Sequence, residues 1–172
     1  MNDEPLPIVC DATVVLNLGH RGNMATVVAK LREQRGLWVT PEVIREVTKH
    51  DPDFYRLFLE EHFTVVSEVE QVLSEISDPG VGLLGPGELS VLMTCMAKGW
   101  VAGIDELEGR KAARVLKIPL MGTIGILDQA VTAEWLDGEE ALNTLRRLRT
   151  HGFHCPKVLA NDDFADYIAR LK

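Results

Sequence analysis

Asp11 directly follows the short apolar run Pro7-Ile8-Val9-Cys10, and Asp105 directly follows a second one, Trp100-Val101-Ala102-Gly103-Ile104. Acids so placed sit at the carboxyl ends of strands, where open parallel α/β sheets bind ligands near a reversal of strand order. Glu88 opens an apolar helical segment, and Glu46 lies about one and a half turns into the helix launched by Pro41. Carboxylates drawn to one sheet edge repel one another across a few ångströms. A hard cation with oxygen ligands and retained waters relieves that repulsion, so Mg²⁺ or Mn²⁺ is the expected cofactor. An ion held by Asp11, Glu88 and Asp105 would lower the pKa of a bound water, with Glu46 holding an ion or orienting that water.

Each acid also has a plainer role. Asp11 and Asp105 are good helix N-caps, Glu88 is a favourable charge at a helix N-terminus, and Glu46 could be a solvated helix residue. Taken singly these roles are the commoner ones. The functional reading rests on the set.

The elements that position the acids follow from periodicity. Ile8 to Cys10 and Leu37-Trp38-Val39-Thr40 read as strands. So do His62 to Val66, Trp100 to Ile104 and, at an edge that tolerates Pro119, Ile118 to Met121. Helices are expected over Met24 to Gln34, Glu42 to Lys49, Val69 to Ser77 and Glu88 to Lys98, then from Asp105, from Gly122 to near Trp135, over Glu139 to Arg149 and over Asp162 to Leu171. Asp78 to Gly87 reads as a loop. The β-then-α alternation implies an α/β fold with a parallel sheet covered by helices on both faces. With no repeat or linker, residues 1–172 read as a single domain, core about 7–130 and C-terminal helices 139–172.

Composition bounds the function. The 172 residues carry a formal charge of −8, which argues against a protein that coats nucleic acid nonspecifically but not against a nuclease, whose acids hold a cation. No apolar run approaches the ~18 residues of a membrane span, and the acidic start lacks a secretory pattern, so the expectation is no membrane and cytoplasmic residence. Cys10, Cys95 and Cys155 are odd in number, and two lie in apolar segments, which reads as reduced thiols.

A resemblance then becomes specific. It is carried by Asp11-Ala-Thr13 after its apolar strand, Val39-Thr-Pro41-Glu-Val-Ile-Arg-Glu46, Gly87-Glu88-Leu-Ser, Asp105-Glu106-Leu-Glu-Gly109-Arg110, and Gly122-Thr123-Ile-Gly125. In order and spacing these segments resemble the PIN-domain superfamily, most of all its branch of predicted nucleases related to toxin ribonucleases of type II toxin-antitoxin systems. The resemblance implies a three-layer α/β/α fold with a mainly parallel sheet and a metal-dependent endoribonuclease. Its site would be Asp11, Glu46, Glu88 and Asp105, with Glu106 a further metal acid and Thr13 and Thr123 polar supports. It also implies an RNA substrate, a protein antitoxin and a homodimer as partners. Many relatives carry paired aspartates where this chain has Asp105-Glu106, and the longer side chain alters the second position.

Arg110, Lys111 and Arg114 begin the helix beside Asp105 and are the local candidates to touch RNA phosphates, or else a solvated basic face. The main alternative is a catalytically silent PIN-like module that holds RNA or protein. A phosphatase or receiver domain ranks lower, because a phosphatase needs a second Asp where Thr13 stands. His151, His154 and Cys155 are too few for a zinc site, and Arg146, Arg147 and Arg149 give one further helix a partly basic surface.

Overall fold

Ile8, Val9 and Cys10 have no exposed surface at all, which places their strand in the middle of a sheet rather than at its rim. The computed structural model describes residues 5–67 and 84–154. It contains β1 (Ile8–Cys10), α1 (Ala12–Leu16), α2 (Ala25–Arg35), β2 (Leu37–Val39), α3 (Pro41–Val47), α4 (Pro52–His62) and β3 (Thr64–Val65), followed by α5 (Pro86–Lys98), β4 (Val101–Gly103), α6 (Leu107–Val115), α7 (Thr123–Thr132) and α8 (Gly138–Thr150). The four strands are all parallel in the order β3-β2-β1-β4 and are flanked by helices. Burying each Val, Leu or Ile between sheet and helices contributes roughly 1.5–3 kcal/mol, so the continuous apolar strands are what hold the centre together.

The topology decides where a ligand can sit. From β1 the chain crosses to β2 on one side, whereas from β4 it runs to Leu120, which bridges Ala102 in parallel on the other side. The crevice at the reversal therefore lies between the carboxyl ends of β1 and β4, next to Asp11 and Asp105. Turns at the opposite end of the sheet are tight: Gly36 before β2 and Gly99 before β4 take φ of +77° and +68°.

Several elements differ from expectation. The strand expected over His62 to Val66 is reduced to Thr64–Val65, because α4 runs through His62. That helix escaped the periodicity reading, although Asp51 caps it by accepting from Phe54 N–H at 3.1 Å, Pro52 fills the first turn, and Tyr55, Phe58, Leu59 and His62 form its buried stripe. The expected strand Ile118 to Met121 survives only as the Ala102–Leu120 bridge. Pro119 has no N–H to give, but its carbonyl accepts from Ala102 N–H at 2.8 Å. Helix α5 starts at Pro86 rather than Glu88, and α6 at Leu107 with Glu106 as its cap rather than at Asp105. The expected helices 69–77 and 162–171, most of the loop 78–87, and Cys155 fall outside the described residues.

Between α1 and α2 the backbone makes a π-helical turn, Asn17–Arg21, broken at Gly19. Tyr55 presses so close that a β-carbon at 19 would meet its ring at 2.8 Å. The turn rests on the rings of α4, with His20 tilted by 38° against Phe54 at 3.7 Å between centroids.

Candidate functional site

Asp11 is 2% exposed and doubly anchored: its N–H donates to Gly103 O at 2.8 Å, and its Oδ1 accepts from Val14 N–H at 2.8 Å as the cap of α1. The cap expected from sequence is real, yet it occupies one oxygen only. Oδ2 is buried with no hydrogen-bond partner. Burial pushes this carboxyl well above the usual carboxylate range against the pull of Val14 N–H, and the charges of Asp105, Glu88 and Glu106 raise it further.

Asp105 follows β4 and is held from three sides. Thr123 donates through its backbone N–H (2.8 Å) and its hydroxyl (2.5 Å), and Asn17 Nδ2 donates at 3.0 Å. Burial raises the Asp105 carboxyl, while these donors and the nearby Arg110 charge act the other way. Asn17, fully buried on the π turn, also donates to Thr123 Oγ1 at 3.3 Å and accepts from Arg21 Nη1 at 3.3 Å. Sequence reasoning missed Asn17, although an amide alone within Val14 to Leu18 was a signal.

Glu88 stands in the first turn of α5. Its Oε2 accepts from Gly85 N–H at 3.2 Å, while Oε1 is buried without a hydrogen bond of normal geometry, facing Gly109. Burial raises this carboxyl too, opposed by Gly85 N–H and reinforced by Glu106 and Glu46. Helices α3 and α5 are tied by Thr40 Oγ1 and Ser90 Oγ at 2.7 Å, and Ser90 donates in turn to Gly87 O. This junction seats exposed Glu46 against Gly87, where a β-carbon would lie 2.7 Å from Glu46 Oε2. Glu106 is exposed and accepts from Thr13 Oγ1 at 3.4 Å.

The structure thus brings Asp11, Glu88, Asp105 and Glu106 into mutual electrostatic reach, with Thr13 and Thr123 beside them and Glu46 at the rim. No group of three or more His, Cys, Asp and Glu side chains among the described residues is already drawn in to hold a metal ion. The donor set nevertheless fits a hard cation. It is all oxygen, two of its atoms are buried and unpartnered, and close-packed glycines at 87, 109 and 122 leave room for the carboxylates, since β-carbons there would lie within 2.7 Å of them. Of the expected basic contacts, Arg110 donates to Ile104 O at 2.9 Å, Lys111 pairs with Glu108 at 2.7 Å, and Arg114 is exposed. Cys10 and Cys95 are free and buried, and burial lifts Cys95 to about 12, so neither is a nucleophile.

Fold and site together define a parallel α/β domain with an acidic crevice at its strand-order reversal. The chain belongs to the PIN-domain family, whose DUF3368 model, described as a PIN domain, matches residues 7–164. PIN domains are generally nucleases and typically use divalent metals. A comparison with curated proteins finds no match. Among the described residues no helix is long and apolar enough to cross a membrane.

Proposed function

We propose that this protein is a metal-dependent endoribonuclease, with Asp11, Glu88 and Asp105 as ion-holding acids and Glu106 and Glu46 completing the acidic rim. The observation that carries the reading is Asp11 Oδ2, a carboxylate oxygen at the end of the central strand, buried among other acids without a donor. A lone buried carboxylate is costly, and a cation is the partner this surrounding set of oxygens suits. When bound, Mg²⁺ or Mn²⁺ supplies charge neutralisation at a phosphate and activation of water.

The chain's own residues do the positioning. The cap to Val14 and the tie to Gly103 fix Asp11, and the Thr123 and Asn17 donors fix Asp105. Arg110, held by Ile104 O, keeps a positive charge at the mouth without an ion pair to any acid among the described residues. The resemblance to toxin ribonucleases extends the proposal to a protein antitoxin and a homodimer.

The test is cleavage of RNA by the purified chain in Mg²⁺ or Mn²⁺, with and without chelator, beside Asp11→Asn. Asn keeps the helix cap but not the anionic ligand. Metal-dependent cutting that vanishes in Asp11→Asn is expected; equal cutting by the variant, or by the chelated protein, would sink the reading.

A further inference from the structure

A cleft of about 450 Å³ opens beside the acidic crevice, with Asp105 on its wall. Its character is unlike the rest of this acidic chain. Arg110 and Arg114 line one side, and neither makes an ion pair among the described residues. Half-buried Phe153, which packs on the core, and exposed His154 both lie on the lining, and Gly125 on α7 leaves a gap in the wall.

Gly125 carries the argument. It lies inside a regular helix, where Gly costs roughly 1 kcal/mol relative to Ala, and its φ is not positive. A β-carbon there would meet only the flexible Met121 Cγ at 3.1 Å, so packing does not demand glycine. What its missing side chain leaves is room in the cleft.

We propose that this cleft takes one unpaired nucleotide of the RNA next to the bond to be cut, its base against Phe153 and His154 and its phosphate drawn by Arg110 and Arg114. The inference rests on reading the acidic crevice as the nuclease centre. Every base has a π-face that can stack on an aromatic ring, and arginines track the backbone. A base can reach such a recess only if it is splayed from its strand, so the cleft selects single strands over duplex.

The experiment uses the full chain in chelator, with a short fluorescently labelled single-stranded RNA and the same RNA annealed to its complement, followed by anisotropy. Wild type should bind the single strand more tightly than the duplex. Gly125→Leu, which fills the cleft with a better helix former, should weaken single-strand binding on the order of tenfold and leave duplex binding unchanged. Arg114→Ala should reduce the salt slope of binding by about one. Should Gly125→Leu fail to fold, His154→Ala on an exposed residue should still lose single-strand affinity. Equal affinity of wild type for both RNAs, no binding by wild type, or wild-type binding by Gly125→Leu and His154→Ala overturns the proposal. Parallel cleavage in Mn²⁺ separates the two readings. Weakened binding in Gly125→Leu beside an inert wild type keeps the cleft and discards the nuclease; unchanged binding beside an active wild type does the reverse.

Discussion

Gly109 and Glu88 claim the same space: a β-carbon on the glycine would stand 2.6 Å from Glu88 Oε1 and 2.9 Å from Ile104 Cγ2. Helix α6 therefore packs on α5 only because residue 109 has no side chain, and the carboxylate keeps its direction for the same reason. Gly109→Ala should destabilise the fold by about 1–3 kcal/mol through overpacking, measured by urea unfolding. It should also turn Glu88 aside and lower the Mn²⁺-dependent cleavage rate at least tenfold. Full cleavage by a folded Gly109→Ala would show that Glu88 is not needed where it stands.

Asn17 gives a second test. Replacing it by Leu keeps the branched outline of the side chain, in a somewhat larger volume, but removes the donor to Asp105 Oδ2 and the acceptor for Arg21. Stranding buried partners in this way costs about 1–3 kcal/mol. Supports behind metal ligands typically contribute 10–100-fold in affinity, so Mn²⁺ binding by calorimetry should weaken within that range. A folded Asn17→Leu with unchanged Mn²⁺ affinity would reduce Asn17 to a packing residue.

The raised carboxyls predict a stability trade. Asp11, Glu88 and Asp105 are all shifted up, each chiefly by burial. An acid whose pKa is higher folded than unfolded favours folding fully below its unfolded value, about 4, and loses that contribution as pH climbs through the folded value. In chelator, Asp11→Asn should thus melt above wild type near neutral pH, by roughly 0.5–2 kcal/mol in stability. The gap should shrink as pH falls toward 4. A gap that stays constant with pH, or a variant less stable than wild type at pH 7, contradicts the assigned direction.

Metal titration should show the same protons leaving. Because ligands bind an ion deprotonated, Mn²⁺ binding should release protons and tighten as pH rises from mildly acidic to neutral values. Calorimetry in buffers of different ionisation enthalpy reads this directly. Uptake of protons, or affinity independent of pH, would contradict the site.

How far the sequence could be read depended on how local each signal was. Asp11 announced itself, since a buried strand ending in a capping residue is written in consecutive positions, and the cap to Val14 is there. The parallel sheet followed from alternation. Helix α4 is harder to read although Asp51-Pro52 starts it plainly, because its buried stripe is built from Tyr55, Phe58, Leu59 and His62, and aromatic residues also favour strands. Asn17 was hidden for a different reason. Its partners Asp105 and Thr123 lie 88 and 106 positions away, and only the π turn aims its amide at them. Glu106 looked like a continuation of the strand-end acid but is a helix cap on the surface, one residue past the wall that Asp105 forms.

The left-handed turns at Gly36 and Gly99 lie at the pole of the sheet away from the acids. Labour is split along the strand axis: folding geometry is set where strands begin, and charge is gathered where they end. Inserted residues, affinity tags or rigidifying substitutions at the first pole can therefore alter how firmly the chain folds while leaving the acidic mouth as it is.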